Sequence, residues 1–346
     1  MDQNTQRRLF DFLRALVDID STTGREGDVA RFVSAWLQQL PGVEVELQAI
    51  PDPDSPFERC NLIARCGHPR VVLSTHLDTV PPFFPSREDD DFIHGRGACD
   101  AKGIIAAQVF AAAELLAAGV SDFGLLFVAG EERNSAGAFA ANLTPPQPPP
   151  RFLINGEPTQ SKIITAGKGV LRMNLKAQGR AAHSAYPELG ESAINKLLDA
   201  LARLRALALP VDPQLGPTHV NIGTIRGGCA PNVIADQAEA EIMFRLVGDA
   251  EPVKNQAMAV VQGLAQLETV LEMPAIRLHS LPDFPTGTVA FGTDIPNLTA
   301  WGQPLLFGPG SIHVAHTPAE HIAKSELAAA VGVYADLVGR LQAEKS

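Results

Sequence analysis

Apolar positions recur at helical spacing over residues 6–18 and again over 25–40, the second stretch opened by Ser21-Thr22-Thr23-Gly24. The period then changes. Residues 43–49, 61–64 and 71–75 alternate or run apolar at strand length, and 101–118 is an Ala/Leu-rich stretch closing on Gly119, which predicts a helix with a glycine stop. Residues 124–128 and 152–154 read as short buried strands, separated by a helical stretch near 137–143 and a Pro-rich loop at 144–150. Strands alternating with helices predict an α/β domain, a mostly parallel sheet flanked by helices on both faces. Ligands of such sheets bind beyond the carboxyl ends of the strands.

Near Gly167 the pattern changes again. Residues 169–177, 220–227 and 238–247 read as strands, with helices at about 192–208 and 252–267 and a closing strand at 275–278. That order predicts a ferredoxin-like α+β unit at 167–279, inserted into a discontinuous domain made of 1–166 and 280–346. After Pro282 come Gly/Pro-rich loops and a final helix at 324–343.

Composition changes this picture little. The 346 residues suffice for two cores, and 45% hydrophobic with 19% charged residues are ordinary globular values. A net charge of −11 argues against nucleic-acid or anionic-membrane partners. The first eight residues lack the apolar core of a signal peptide, and no window has the apolar length of a membrane span. Cys60, Cys66, Cys99 and Cys229 show no CxxC spacing and read as reduced thiols. Together these features predict a soluble, cytoplasmic protein.

The candidate chemistry lies at strand ends. Glu131-Glu132 directly follows an apolar run, and two adjacent carboxylates repel each other and desolvate poorly unless something positive, usually a metal, sits beside them. The run 71–75 ends in His76-Leu77-Asp78, whose period of two places His76 and Asp78 on one face. Asp100 lies in a Gly-flanked loop, Glu157 in Gly156-Glu157-Pro158-Thr159, and the second imidazole comes from His279, His313, His316 or His321. Each feature has a plainer reading: a hydrogen-bonded surface pair, an N-cap at Asp100, a helix start at Glu131, a solvated loop acid at Glu157. Their joint occurrence favours a two-metal hydrolase site. Cys99 beside Asp100 reads as a small buried side chain rather than a ligand. In the inserted unit, His183, Asn232 and Arg245 read equally well as a loop histidine, a turn residue and a surface ion pair.

Taken together, His76-Leu77-Asp78-Thr79-Val80-Pro81, Gly95-Arg96-Gly97 with Cys99-Asp100-Ala101-Lys102-Gly103, Gly130-Glu131-Glu132 and Gly156-Glu157-Pro158-Thr159 resemble, in order, the motifs of one family. It is the co-catalytic zinc family of acetylornithine deacetylase, succinyl-diaminopimelate desuccinylase, aminoacylase-1 and the glutamate carboxypeptidases. Gly308-Pro309-Gly310-Ser311 with Ala315-His316-Thr317-Pro318 is similar to the ligand-bearing loop of the acetylornithine deacetylases, which selects His316. The resemblance implies two zinc ions per chain, with cobalt or manganese as alternatives. It implies Asp100 bridging them, His76 and Glu157 on one and Glu132 and His316 on the other, Asp78 orienting His76, and Glu131 as general base. It further implies a homodimer formed through the inserted lid, His183 reaching the partner's site, and Asn232 and Arg245 holding the substrate carboxylate. Ala101 departs from relatives that carry a larger residue after the bridging Asp. The expected function is zinc-dependent hydrolysis of an N-acyl amino acid of the N-acetyl-ornithine type. A carboxypeptidase or dipeptidase is the first alternative, and a silent binding protein of the same fold the second.

Overall fold

The computed structural model describes residues 1–52 and 56–344, and the chain divides into two compact units. The first comprises Met1–Thr165, Leu278–Gly287 and Thr293–Ser346; the second comprises Ala166–Arg277 and Thr288–Gly292.

The first unit is built on one sheet. Across it the strands run Val43–Ala49, Cys60–Cys66, Phe123–Val128, Val71–His76, Phe152–Asn155, Gln303–Leu306 and Ile163–Gly167. The central neighbours from Phe123–Val128 through Gln303–Leu306 pair in parallel, and the outer ones are antiparallel. Every residue of Val71–His76, Phe123–Val128 and Phe152–Asn155 is buried, as expected for parallel strands covered on both faces. Helices α1 (Gln3–Val17), α2 (Gly27–Leu37), α3 (Lys102–Ala117), α4 (Ala136–Leu143) and, at the chain's end, Lys324–Ala343 belong to this unit. Helix α3 has no polar face: it is buried from Lys102 through Ala112 and again at Leu115, packed against α1, Lys324–Ala343 and the Val71–His76 strand. A small three-stranded sheet, Arg87–Glu88, Phe92–His94 and His321–Ala323, brings a late segment beside an early one. Sequence reasoning missed it, its strands being two or three residues long.

The second unit carries a four-stranded antiparallel sheet in the order His219–Gly227, Gln237–Leu246, Gly169–Gln178, Gln266–Met273, with α5 (Ala193–Arg205) and α6 (Ala250–Val261). This strand-helix-strand-strand-helix-strand arrangement is ferredoxin-like. Two elements correct the sequence reading. The helix expected at 252–267 stops at Val261, because Gly263 adopts a left-handed φ of 78°. The fourth strand is Gln266–Met273, not 275–278, where only Ile276–Arg277 forms a short pairing with Ala166 and Gly167. Gln266–Met273 is an edge strand, largely exposed, so its side chains lack the alternation that marks a half-buried strand.

Candidate metal centre

The carboxyl ends of the parallel strands deliver the chemistry. His76 ends its strand, Glu157 follows Phe152–Asn155 by two residues, and Glu131-Glu132 follows Phe123–Val128 through a turn at Gly130. Gly130 holds φ at 80°, and its carbonyl accepts hydrogen bonds from the N–H groups of Asn134 (3.0 Å) and Ser135 (2.7 Å). A Cβ there would lie 2.6 Å from Arg59 Nη2, so the turn requires glycine twice over.

Asp78 organises this turn. Its Oδ1 accepts from the main-chain N–H of Gly130 (3.0 Å) and Glu131 (3.0 Å), and its Oδ2 from Glu132 N–H (3.2 Å) and Thr23 Oγ1 (2.8 Å). The His76 ring meets Asp78 mainly through the main chain. Its Nδ1 donates to the Asp78 main-chain carbonyl at 2.8 Å, with the carboxylate 3.6 Å away. That bond fixes the tautomer and leaves Nε2 as the free donor atom.

Nε2 of His76 lies 2.9 Å from Asp100 Oδ1, and His316 Nε2 lies 3.2 Å from Asp100 Oδ2 and 2.8 Å from Glu132 Oε1. Asp100 does not cap α3; the N-cap position is Ala101, and the carboxylate turns instead to the two imidazoles. His316 sits at a left-handed φ of 62°, one of few non-glycine residues to do so. The other candidate histidines lie elsewhere: His279 bonds Glu344, and His321 bonds the Ala319 carbonyl. His313 uses its main-chain N–H on Ser311. Cys99 is buried with its thiol on the Ser311 carbonyl, and burial pushes its pKa well up.

The electrostatics of the cluster are those of carboxylates short of positive charge. Burial, then Glu157, push the Glu131 carboxyl well above the usual range, with His76 as partial relief. Glu157 is raised well above its range by burial too, and Glu132 more moderately because His316 bonds it. Burial opposes charge on His76, yet Asp100 and Asp78 hold its imidazole well above the ordinary value. Asp100 and Glu132 raise His316 to about 10. Burial works against Asp100 as an anion, but the two histidines hold it below the usual carboxylate range. Asp294, absent from the sequence reading, is 1% exposed and raised by burial to about 6.

This donor set fits metal ions. His76, Asp100 and Glu157 offer ligand atoms all within 4.8 Å of one another, and Asp100, Glu132 and His316 form a second such group. Asp100 belongs to both. Tetrahedral zinc with bonds of about 2.0–2.1 Å sets its ligand atoms about 3.3 Å apart. The imidazole-to-carboxylate separations of 2.8, 2.9 and 3.2 Å are close to that spacing.

The remaining candidates lie in the second unit. His183 is exposed in a short bridge with Val233, and its Nδ1 accepts from Ala185 N–H at 3.1 Å. Ser184 N–H donates to the Asn232 carbonyl at 3.0 Å, so the His183 and Asn232 loops adjoin. Arg245 stands cross-strand from His219 and is half-buried. Burial lowers its pKa, and among the described residues it makes no ion pair.

Comparison with known proteins adds the following. The model of peptidase family M20/M25/M40 matches residues 72–340. A peptidase M20 domain-containing protein of Schizosaccharomyces pombe is 38% identical over 336 residues, covering 94% of this chain and 82% of its own. A probable carboxypeptidase of Aspergillus terreus is 39% identical over 368 residues, covering 94% and 85%. Among solved structures, an M20 family metallo-carboxypeptidase from Sulfolobus solfataricus aligns with a TM-score of 0.75 at 15% identity, covering 99% of each chain. A dinuclear metal binding M20 peptidase from Bacillus subtilis aligns at 0.72 and 16% identity, covering 99% and 100%.

Proposed function

The chain belongs to peptidase family M20/M25/M40 and is a metal-dependent amide hydrolase, and from that premise we propose that it cleaves the amide whose nitrogen belongs to an amino acid with a free α-carboxylate. The observation that carries the proposal is the pair of donor groups sharing Asp100. His76 and Glu157 would hold one divalent ion, Glu132 and His316 the other, with Asp100 between them and zinc as the native metal. Bound there, the ions would supply Lewis acidity that polarises the scissile carbonyl and acidifies water. Glu131 stays free of the ligand set and, near the cluster, takes a proton from the attacking water on a carboxylate oxygen. It then delivers that proton to the departing amine nitrogen as the C–N bond breaks, leaving a carboxylate and a free amino acid. Asp78 serves by fixing the turn that carries Glu131, through the main-chain bonds described above. Arg245, half-buried and without a counter-ion among the described residues, supports recognition of the substrate carboxylate, with Asn232 beside it in role.

That requirement is common to N-acyl amino acid deacetylases and carboxypeptidases. The motif resemblance supports a deacetylase of the N-acetyl-ornithine type; relatives named probable carboxypeptidases, at 35–39% identity, support removal of a C-terminal residue about equally. Two further parts of the reading rest on resemblance: a homodimer through the second unit, and His183 of one subunit stabilising the carbonyl oxygen in the other. A cytoplasmic setting is supported by the four free thiols. Among the described residues no helix is long and apolar enough to cross a membrane.

The test is hydrolysis by zinc-loaded protein of N-acetyl amino acids, N-acyl dipeptides and the same compounds with the terminal carboxylate amidated. Cleavage of the free-acid forms and loss of at least about tenfold in kcat/KM on amidation is expected, since an ionic hydrogen bond is worth about 1.5–3 kcal/mol. Equal turnover of amidated substrates would refute carboxylate recognition. Preference between acetyl and aminoacyl groups decides deacetylase against carboxypeptidase.

A further inference from the structure

Glu320 is 2% exposed and has no place in the hydrolytic chemistry above. Its Oε1 accepts from the main-chain N–H of Gly97 (2.9 Å), Cys99 (3.2 Å) and Asp100 (3.1 Å). Its Oε2 accepts from Arg96 Nη1 at 2.5 Å, and its main-chain carbonyl accepts from Gly95 N–H at 3.1 Å. All of these partners belong to the single segment that ends in Asp100. Arg96, itself 1% exposed, is held in turn by the Pro82 carbonyl (3.2 Å) and lies over the Phe84 ring (5.3 Å). On its own side Glu320 N–H donates to the Thr317 carbonyl (3.3 Å), and the next residues, His321–Ala323, pair with Phe92–His94. One carboxylate therefore ties the segment bearing Asp100 to the segment bearing His316.

A buried ion pair is poor evidence of stabilisation, because apolar replacements of similar volume are often as stable. Three converging N–H groups are a different matter. They fix the path of the backbone at the residue that both donor groups share. Without them, Asp100 would have to be ordered against like-charged Glu132 and Glu157 at the moment an ion arrives, and ordering costs conformational entropy.

We propose that Glu320 is a positioning residue that presets Asp100 against His316, so that the donor geometry exists before any metal binds. The inference rests on the metal-site reading of the preceding section. Two measurements test it. In the first, zinc affinity and stoichiometry are determined by chelator competition for the wild type and for Glu320→Gln, whose side chain has the same shape but no charge. Both variants are compared as folded protein by near-ultraviolet circular dichroism. The expected result is a rise of about 10–100-fold in the dissociation constant of at least one ion, the usual scale for losing an outer partner of a ligand, with kcat reduced at saturating zinc and KM within about twofold. Unchanged affinity for both ions would overturn the proposal, and a wild type that binds no metal would instead refute the metal-site reading. The second measurement needs no variant. Hydrogen exchange in metal-free wild type should show residues 97–100 already protected; rapid exchange there, slowed only by adding zinc, would also overturn it.

Discussion

Glu131 and Glu132 are neighbours in the chain with different surroundings. Glu132 has His316 at 2.8 Å, whereas Glu131 faces burial and Glu157. Glu131→Ala should therefore keep near-normal zinc content and lose about 10²–10⁴-fold in kcat, the usual contribution of a positioned acid–base; metal analysis beside steady-state kinetics checks it, and a variant that loses zinc would exchange the two roles. His316 adds a pH dependence. Asp100 and Glu132 keep its imidazolium to about 10 in the metal-free protein, against 6.5 ordinarily. The folded pKa is raised, so the stability it gives the metal-free fold is fully present below about 6.5 and is lost as pH rises through about 10. Metal binding needs the neutral ring, so zinc affinity should rise over the same interval. Melting temperatures of chelated and zinc-loaded protein should diverge as pH is raised from 7 to 9.5; convergence would show that His316 is not a ligand.

Elements explain which parts of the fold were legible beforehand. Helix α3 and the three buried parallel strands were readable because α3 is buried over most of its length and the strands throughout, leaving mostly apolar runs of distinct lengths. Gln303–Leu306 was not: four residues with Pro304 inside look like loop, yet its place between Phe152–Asn155 and Ile163–Gly167 is in the interior of the sheet. His76, Glu131 and Glu132 announced themselves as polar groups stranded at apolar run ends, Asp100 and Glu157 as acids in Gly-containing loops, and His316 stood out from its neighbouring histidines only through the resemblance of its loop. Glu320 and Asp294 gave no such signal, since their neighbours in sequence are ordinary loop residues and only the tertiary fold buries them. Gly130 belongs to the same scale, because it shapes a turn rather than touching chemistry. Gly130→Ala should cost about 1–2 kcal/mol for the left-handed conformation alone, with more if Arg59 cannot yield, since Glu26 and Asp52 pin its guanidinium. Thermal unfolding measures the loss, and kcat should fall as well because the turn carries Glu131.

At the scale of the whole molecule, the proposed dimer is open to a complementation experiment. His183→Ala should lower kcat by about 10²-fold or more, the scale of losing one oxyanion donor, with zinc unchanged. Mixing it with an excess of Glu131→Ala chains should restore activity, because one site of each mixed dimer would have both groups intact. Subunits that demonstrably exchange and stay inactive would remove His183 from the reaction. The first unit is also interrupted in sequence: Asp100, Glu132 and Glu157 precede the second unit, while the Gln303–Leu306 strand and His316 follow it. At about 5–20 residues per second on a ribosome, roughly 10–30 s separate the synthesis of Glu157 from that of His316. During that interval the Phe152–Asn155 strand waits with one edge bare, a surface on which chaperones act and other nascent chains can pair. If Asp100 and Glu132 share a metal with His316 as proposed, the second donor group is complete only once His316 has been made, and a chain abandoned before that point would lack it.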